Sequence, residues 1–120
     1  MKLVCIAIGK KHDPAIAAAI DDYTKRLTRY TPLTWQLLPA AKGKMGFEEV
    51  KRLEAALLRA NIQDDDYVVL LDEDGTQLSS NDLAGILNEL DMQSAKRIVF
   101  LIGGAYGVTD EIKRRADVLW

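Results

Sequence analysis

Four short, almost uninterrupted runs of apolar residues are spaced along this 120-residue chain, and segments with helical periodicity separate them. The runs cover residues 3–8, 33–38, 67–72 and 97–102. Strands of a parallel sheet have this character because helices cover both of their faces. Strands that alternate with helices are typical of an α/β fold. The sequence therefore predicts a mainly parallel sheet with helices on both faces, and residues 118–120 resemble the start of a fifth strand.

The segments between these runs carry helix start signals and an amphipathic spacing of apolar residues. The predicted helices are residues 13–30, residues 47–61, one that begins at Ser79 or Ser80, and one that begins at Thr109. The residues predicted to face the core are Ile16, Ile20, Tyr23, Leu27 and Tyr30 in the first helix, Phe47, Val50, Leu53 and Leu57 in the second, Leu83, Ile86, Leu87 and Leu90 in the third, and Ile112 and Ala116 in the fourth.

Size and composition favour one α/β domain over residues 1–120. The mass of 13.4 kDa is close to that of one compact domain, and the hydrophobic fraction of 48% is ordinary for a globular protein. The net charge of -2 does not predict tight, sequence-independent binding of nucleic acid. No apolar stretch approaches the length of a membrane span. A single cysteine, Cys5, excludes an intramolecular disulfide and favours the cytoplasm, and its apolar run predicts a core residue, not a nucleophile.

The loops that follow the strands are the places where an α/β protein binds ligands. The first of them, residues 9–13, holds one glycine and lacks a dinucleotide-binding pattern. Its His12 is the only histidine of the chain, and the polar surroundings predict a solvent-exposed turn residue. The sequence shows no set of residues spaced to hold a metal ion.

The second loop contains Asp72-Glu73-Asp74-Gly75-Thr76, which matches the D-x-D-G-T pattern of haloacid-dehalogenase-type phosphotransferases. In such an enzyme Asp72 would attack phosphorus and the acids would bind Mg²⁺. That motif belongs on a first strand with further acids well downstream, and here only 44 residues follow Thr76. A solvated acidic turn is the simpler interpretation, and the phosphotransferase remains an open alternative.

The third loop, Gly103-Gly104-Ala105-Tyr106-Gly107, joins the fourth apolar run to the last helix. Paired glycines let a ligand approach the backbone closely, so that amide and carbonyl groups can bind it. A tight strand-to-helix turn without a ligand would have the same composition. No Lys-Ser pair follows, which argues against a phosphate loop of the Walker type.

Taken together, several segments resemble the bacterial RlmH-type ribosomal RNA methyltransferases of the SPOUT superfamily. They are the opening residues 1–10, residues 22–27, Leu71-Asp72-Glu73 with Gly75 and residues 78–80, and above all Phe100-Leu101-Ile102-Gly103-Gly104-Ala105-Tyr106-Gly107. The resemblance is collinear over residues 1–120. It implies an α/β knot and an enzyme dependent on S-adenosylmethionine that methylates N3 of a pseudouridine in 23S ribosomal RNA.

The same resemblance implies the residues and partners of the reaction. Leu71 and Gly103 would contact the methyl donor, while Gly104 and Gly107 would shape the turn. The enzyme would work as a homodimer on assembled ribosomes. No residue is identified as the base that removes the N3 proton. The candidate RNA contacts are Lys10, Lys11, Lys42 and Lys44 in loops and Arg114 and Arg115 beside the glycine loop.

The sequence ends at Trp120, where the family's fifth strand begins. From this we expect a chain that is truncated relative to the family and lacks the knot-forming helix, a third donor-binding loop and a terminal Tyr-His segment. Donor binding would then be weak and the dimer interface incomplete. A non-catalytic or partner-assembling variant is accordingly an alternative to the active enzyme.

Overall fold

A computed structural model describes residues 1–9, 11–41 and 46–120 and shows a parallel sheet of five strands within these ranges. The strands are β1 (Lys2–Ile8), β2 (Leu33–Leu38), β3 (Tyr67–Leu71), β4 (Arg97–Ile102) and β5 (Val118–Leu119). They lie in the order β2-β1-β4-β3-β5, and every described pair of neighbours is parallel. The predicted α/β class and the parallel sheet are confirmed.

Helices connect the strands at the predicted places: α1 (Pro14–Thr28), α2 (Phe47–Ala60), α3 (Ser80–Met92) and α4 (Asp110–Arg115). Polar side chains begin three of them by accepting hydrogen bonds from free amides of the first turn. Asp13 accepts from Ala15 N at 2.8 Å, and Ser79 and Thr109 do the same for α3 and α4. In the described part of the chain, no helix is both long and apolar enough to cross a bilayer.

The core lies on both faces of the sheet, because successive strand residues point to opposite sides. On one face Val4, Val68 and Val99 pack against Ala55 and Leu58 of α2 and Ile112 of α4. On the other face Leu3, Val69 and Ile98 pack against Leu90 of α3. Helices thus cover the sheet from both sides.

The prediction that the apolar face of α1 packs into the core is wrong. None of the residues of α1 is buried, and Ile16, Tyr23, Leu27 and the following Tyr30 are 44–87% exposed. The apolar side chains do lie along one face of α1, but this face borders an apolar groove of about 390 Å³ between α1, the sheet and α3. The described residues leave this groove open, so the apolar side chains that line it remain in contact with solvent.

The predicted inward face of α2 is also wrong in part. Phe47 and Leu53 are exposed, and the helix instead buries Glu54, Ala55 and Leu58. The small side chain of Ala55 lies against the sheet, and the Glu54 carboxylate accepts a hydrogen bond from Ala41 N at 3.3 Å. A polar residue can face inward here because the backbone supplies a donor.

Cys5 is half-buried and lines the apolar groove. Burial raises the pKa of its thiol from 9.0 to about 11, because desolvation disfavours the thiolate. The thiolate is the nucleophilic form of cysteine, so this environment supports the prediction that Cys5 is not a catalytic nucleophile.

The start of α3 is expected to make the stability of the fold depend on pH. Ser79 and Asp82 cap each other: the Ser79 N–H donates to Asp82 Oδ2 and the Asp82 N–H donates to Ser79 Oγ, each at 3.0 Å. These bonds, first the one from the Ser79 backbone, hold the pKa of Asp82 below its usual 3.8. A lowered pKa in the folded state stabilises the protein above the unfolded pKa, and this contribution disappears as pH falls through the folded value.

We therefore expect Asp82→Asn to unfold at a lower urea concentration than the wild type at neutral pH. At acid pH, below the folded pKa, the two midpoints should converge because both side chains are then uncharged. Urea unfolding across this range checks the expectation. A gap of constant size at all pH values would contradict it.

Candidate functional site

The loops after β3 and β4 meet in one cleft at the carboxyl edge of the sheet. Strand pairing places Leu71 opposite Ile102, so the residues that follow each strand begin side by side. Residues 71–73 and 102–108 together line a cleft of about 350 Å³. The structure thus brings Leu71, Gly103, Gly104 and Gly107 to the same place, as a shared donor site requires.

The glycine loop, residues 103–107, forms a hydrogen-bonded turn that packs closely against α2. The Gly107 N–H donates to Gly104 O at 3.0 Å, and Gly107 has a φ of 81°, which side chains disfavour. A Cβ on Gly104 would collide with the Glu54 carboxylate, with Cδ at 3.0 Å. Glycine is therefore needed at 107 for the turn and at 104 for the close approach of the loop to α2.

Glu54 of α2 packs against the glycine loop on the side of Gly104. The sequence did not indicate this residue, because the inward face of α2 was predicted wrongly. The residue is only 4% exposed. Its Oε2 accepts from Ala41 N, while Oε1, the atom nearest to Gly104, has no hydrogen-bond partner within the described ranges. A buried carboxylate thus lies between the glycine loop and the Ala41 amide.

Asp72 lines the cleft, but its carboxylate is mostly buried. Its side chain is 11% exposed, its Oδ2 has no hydrogen-bond partner among the described residues, and Lys113 Nζ lies 3.7 Å from that oxygen. The charge of Lys113 offsets the cost of burying this carboxylate oxygen.

The acidic turn that contains Asp72 also has a structural role. The Asp72 N–H donates to Trp120 O and the Thr76 N–H to Leu119 O, each at 2.9 Å, so the turn extends the pairing of β3 with β5. Within residues 1–9, 11–41 and 46–120, no three His, Cys, Asp or Glu side chains are placed to hold a metal ion. Packing against β5 accounts for the acidic turn without phosphoryl chemistry.

We expect Gly75→Ala to destabilise the protein by about 1–3 kcal/mol, the usual cost of an overpacked site. A Cβ on Gly75 would lie 2.5–2.9 Å from backbone atoms of Leu119 and Trp120, which cannot rotate away as a side chain can. Thermal or urea unfolding measures the effect. An unchanged free energy of unfolding would mean that the turn does not pack tightly on β5.

The candidate RNA contacts are scattered. Lys11 follows β1 and is exposed, as is Arg114, whereas Lys10, Lys42 and Lys44 lie outside the described residues. Arg115 donates to the carbonyls of Gln63 and Asp66, each at 3.0 Å. These residues precede β3, at the end of the strand opposite Leu71, so Arg115 does not lie beside the glycine loop as expected. The reason is that α4 begins near the cleft and runs toward the amino ends of the strands, so its last residue, Arg115, lies away from the glycine loop.

His12 is less exposed than predicted. Its ring is half-buried and packs edge-on against Trp35, with 4.5 Å between ring centroids. This contact gives the residue a packing role at the start of α1.

Comparison with known proteins identifies the relatives of the chain. Residues 1–120 match a family model described as "Predicted SPOUT methyltransferase". A protein of Christiangramia forsetii named ribosomal RNA large subunit methyltransferase H is 36% identical, and the match covers 98% of this chain and 74% of that protein. Proteins of the same name from Geobacter metallireducens and Cytophaga hutchinsonii are 37% and 34% identical over 98% of this chain and 75% and 76% of their own lengths.

Proposed function

The chain belongs to the SPOUT methyltransferase family, and we propose that it transfers a methyl group from S-adenosylmethionine to N3 of a pseudouridine in 23S ribosomal RNA. The observation that carries this proposal is the cleft formed jointly by Leu71 and the glycine loop. Relatives named ribosomal RNA large subunit methyltransferase H support the RNA substrate.

The residues of the cleft fit the proposed donor. A volume of about 350 Å³ is within the range of small-molecule sites. Leu71 is 37% exposed and offers an apolar wall for an adenine ring. Gly103 and Gly104 let the loop lie close to Val108 and Glu54, and Asp72 adds to the lining of the cleft a carboxylate that is paired with Lys113.

Methyl transfer makes modest demands on side chains. When bound, S-adenosylmethionine supplies an electrophilic methyl group on a positively charged sulfur. The chain's own contribution is alignment: the cleft fixes the donor side, and the acceptor nitrogen must be held in line with the carbon–sulfur bond. In this transfer the nitrogen–carbon bond would form as the carbon–sulfur bond breaks, with S-adenosylhomocysteine as the leaving group. N3 would lose its proton to a base that we do not assign to any side chain of this chain.

The proposal includes the setting of the reaction. We propose that residues 1–120 act as one domain of a homodimer, in the cytoplasm, on assembled ribosomes. Lys11 and Arg114 are the described candidates for phosphate contacts, with Lys10, Lys42 and Lys44 predicted from sequence. The knotted fold stays a prediction. The family match favours methyl transfer over the phosphotransferase and the non-catalytic variant.

The direct test uses ribosomes from cells that lack this modification, together with donor labelled in its methyl group. We expect label in 23S RNA at a single pseudouridine, located by mass spectrometry of nuclease fragments. Failure of the wild-type chain to label ribosomes would contradict the proposal. Mg²⁺-dependent phosphatase activity that Asp72→Asn abolishes would instead support the phosphotransferase.

A further inference from the structure

Two large aromatic side chains are exposed together at the cleft. Tyr106 of the glycine loop lines the cleft and is 58% exposed, and Phe47, the first residue of α2, is 57% exposed. Their ring centroids are 6.1 Å apart and their planes are inclined by 50°. The rings contact each other and still present large faces to solvent.

Backbone hydrogen bonds fix the main chain from which both rings project. Tyr106 lies inside the turn that the Gly107-to-Gly104 hydrogen bond closes. Phe47 follows the N-cap Gly46, whose carbonyl accepts hydrogen bonds from the amides of Glu49 and Val50 at 3.1 Å. The contact between the two rings restricts their movement, so less conformational entropy is lost when a flat ligand packs on them.

We propose that Tyr106 and Phe47 form a stacking platform for the acceptor base of the RNA, an inference that rests on the proposed function. N3 lies on the pairing edge of the base, so the nucleotide must be unpaired and unstacked before this nitrogen can meet a donor. Aromatic side chains are the usual partners of such splayed bases. The platform adjoins the proposed donor cleft through Tyr106.

The test separates RNA affinity from donor affinity. We expect Tyr106→Ala and Phe47→Ala each to raise the KM for the ribosomal substrate about tenfold or more, the usual effect of removing one stacking partner. Tyr106→Phe keeps the ring and should restore the wild-type KM. Tyr30→Ala, which removes an 87% exposed ring beyond the end of α1, is the control and should change nothing. The dissociation constant of the donor, measured by calorimetry, should stay within about twofold in all four variants.

Two results would overturn the platform: an unchanged KM in both alanine variants, or a weaker donor affinity in Tyr106→Ala that accounts for its whole effect. The second result would assign the ring to the adenine of the donor.

A second measurement distinguishes a wrong platform from a wrong proposed function. The binding of a labelled single-stranded RNA that contains one pseudouridine is measured by fluorescence anisotropy. Both alanine variants should bind this RNA more weakly than the wild type, even if the wild type transfers no methyl group. Equal binding by wild type and variants would contradict the platform.

Discussion

Gly104→Ala is expected to weaken the binding of S-adenosylmethionine at least tenfold. The new methyl group would enter the space of the buried Glu54 carboxylate, so either the glycine loop must lift away from α2 or Glu54 must move. Because the Glu54 carboxylate is buried and bonded to Ala41 N, we expect the loop to move, and this changes the backbone of the cleft that we propose holds the donor. The overpacking should also lower the free energy of unfolding by about 1–3 kcal/mol.

Gly85→Ala is the matched control for this change. Gly85 lies within α3, and a Cβ there would meet no atom within 4 Å. Alanine in place of a helical glycine should leave donor affinity unchanged and stabilise the helix by roughly 0.5–1 kcal/mol. Calorimetric titration of both variants checks the pair. Equal donor affinity in Gly104→Ala and the wild type would show that the loop does not form the donor site.

Asp66→Ala is expected to be the most destabilising single substitution considered, at about 3–5 kcal/mol. The Asp66 side chain is 1% exposed and receives two hydrogen bonds from Arg97, Nε to Oδ1 at 2.9 Å and Nη2 to Oδ2 at 2.7 Å. The Gln63 N–H donates to the same carboxylate at 2.7 Å. Without the Asp66 carboxylate, the Arg97 guanidinium would lose its ionic partner, although the Arg97 side chain is only 16% exposed.

The neighbouring acid provides the control. Asp65 is exposed and lies 3.9 Å from an exposed lysine, Lys96, so Asp65→Ala should change stability by less than about 1 kcal/mol. Urea unfolding of the two variants measures the difference. Similar small effects at both positions would mean that the Asp66–Arg97 pair does not hold the starts of β3 and β4 together.

The strands and most of the helices could be predicted from sequence because their signals are local. Apolar runs mark β1 to β4, and capping residues such as Asp13 and Thr109 fix where helices begin. The family resemblance implied that Leu71 and the glycine loop share a site, and the parallel pairing of β3 with β4 explains why they meet at one edge of the sheet. The order of the strands did not follow, because pairing depends on contacts between residues far apart in sequence.

Helix orientation was the weaker part of the sequence analysis. Periodicity finds an apolar stripe but does not show what covers it, so the stripe of α1 was assigned to a core although Ile16 and Tyr23 are exposed. In α2 the same reasoning placed Phe47 inward and overlooked Glu54. Charged residues are rarely buried, and only the tertiary structure shows the Ala41 amide and the glycine loop that accompany this one.

Amide hydrogen exchange of the full chain, with and without S-adenosylmethionine, tests the donor cleft most directly. We predict that saturating donor slows exchange at residues 71–73 and 103–108 and leaves the amides around the apolar groove unchanged. Unaltered exchange in both loops, or protection confined to the groove beside α1, would contradict the assignment of this cleft as the donor site.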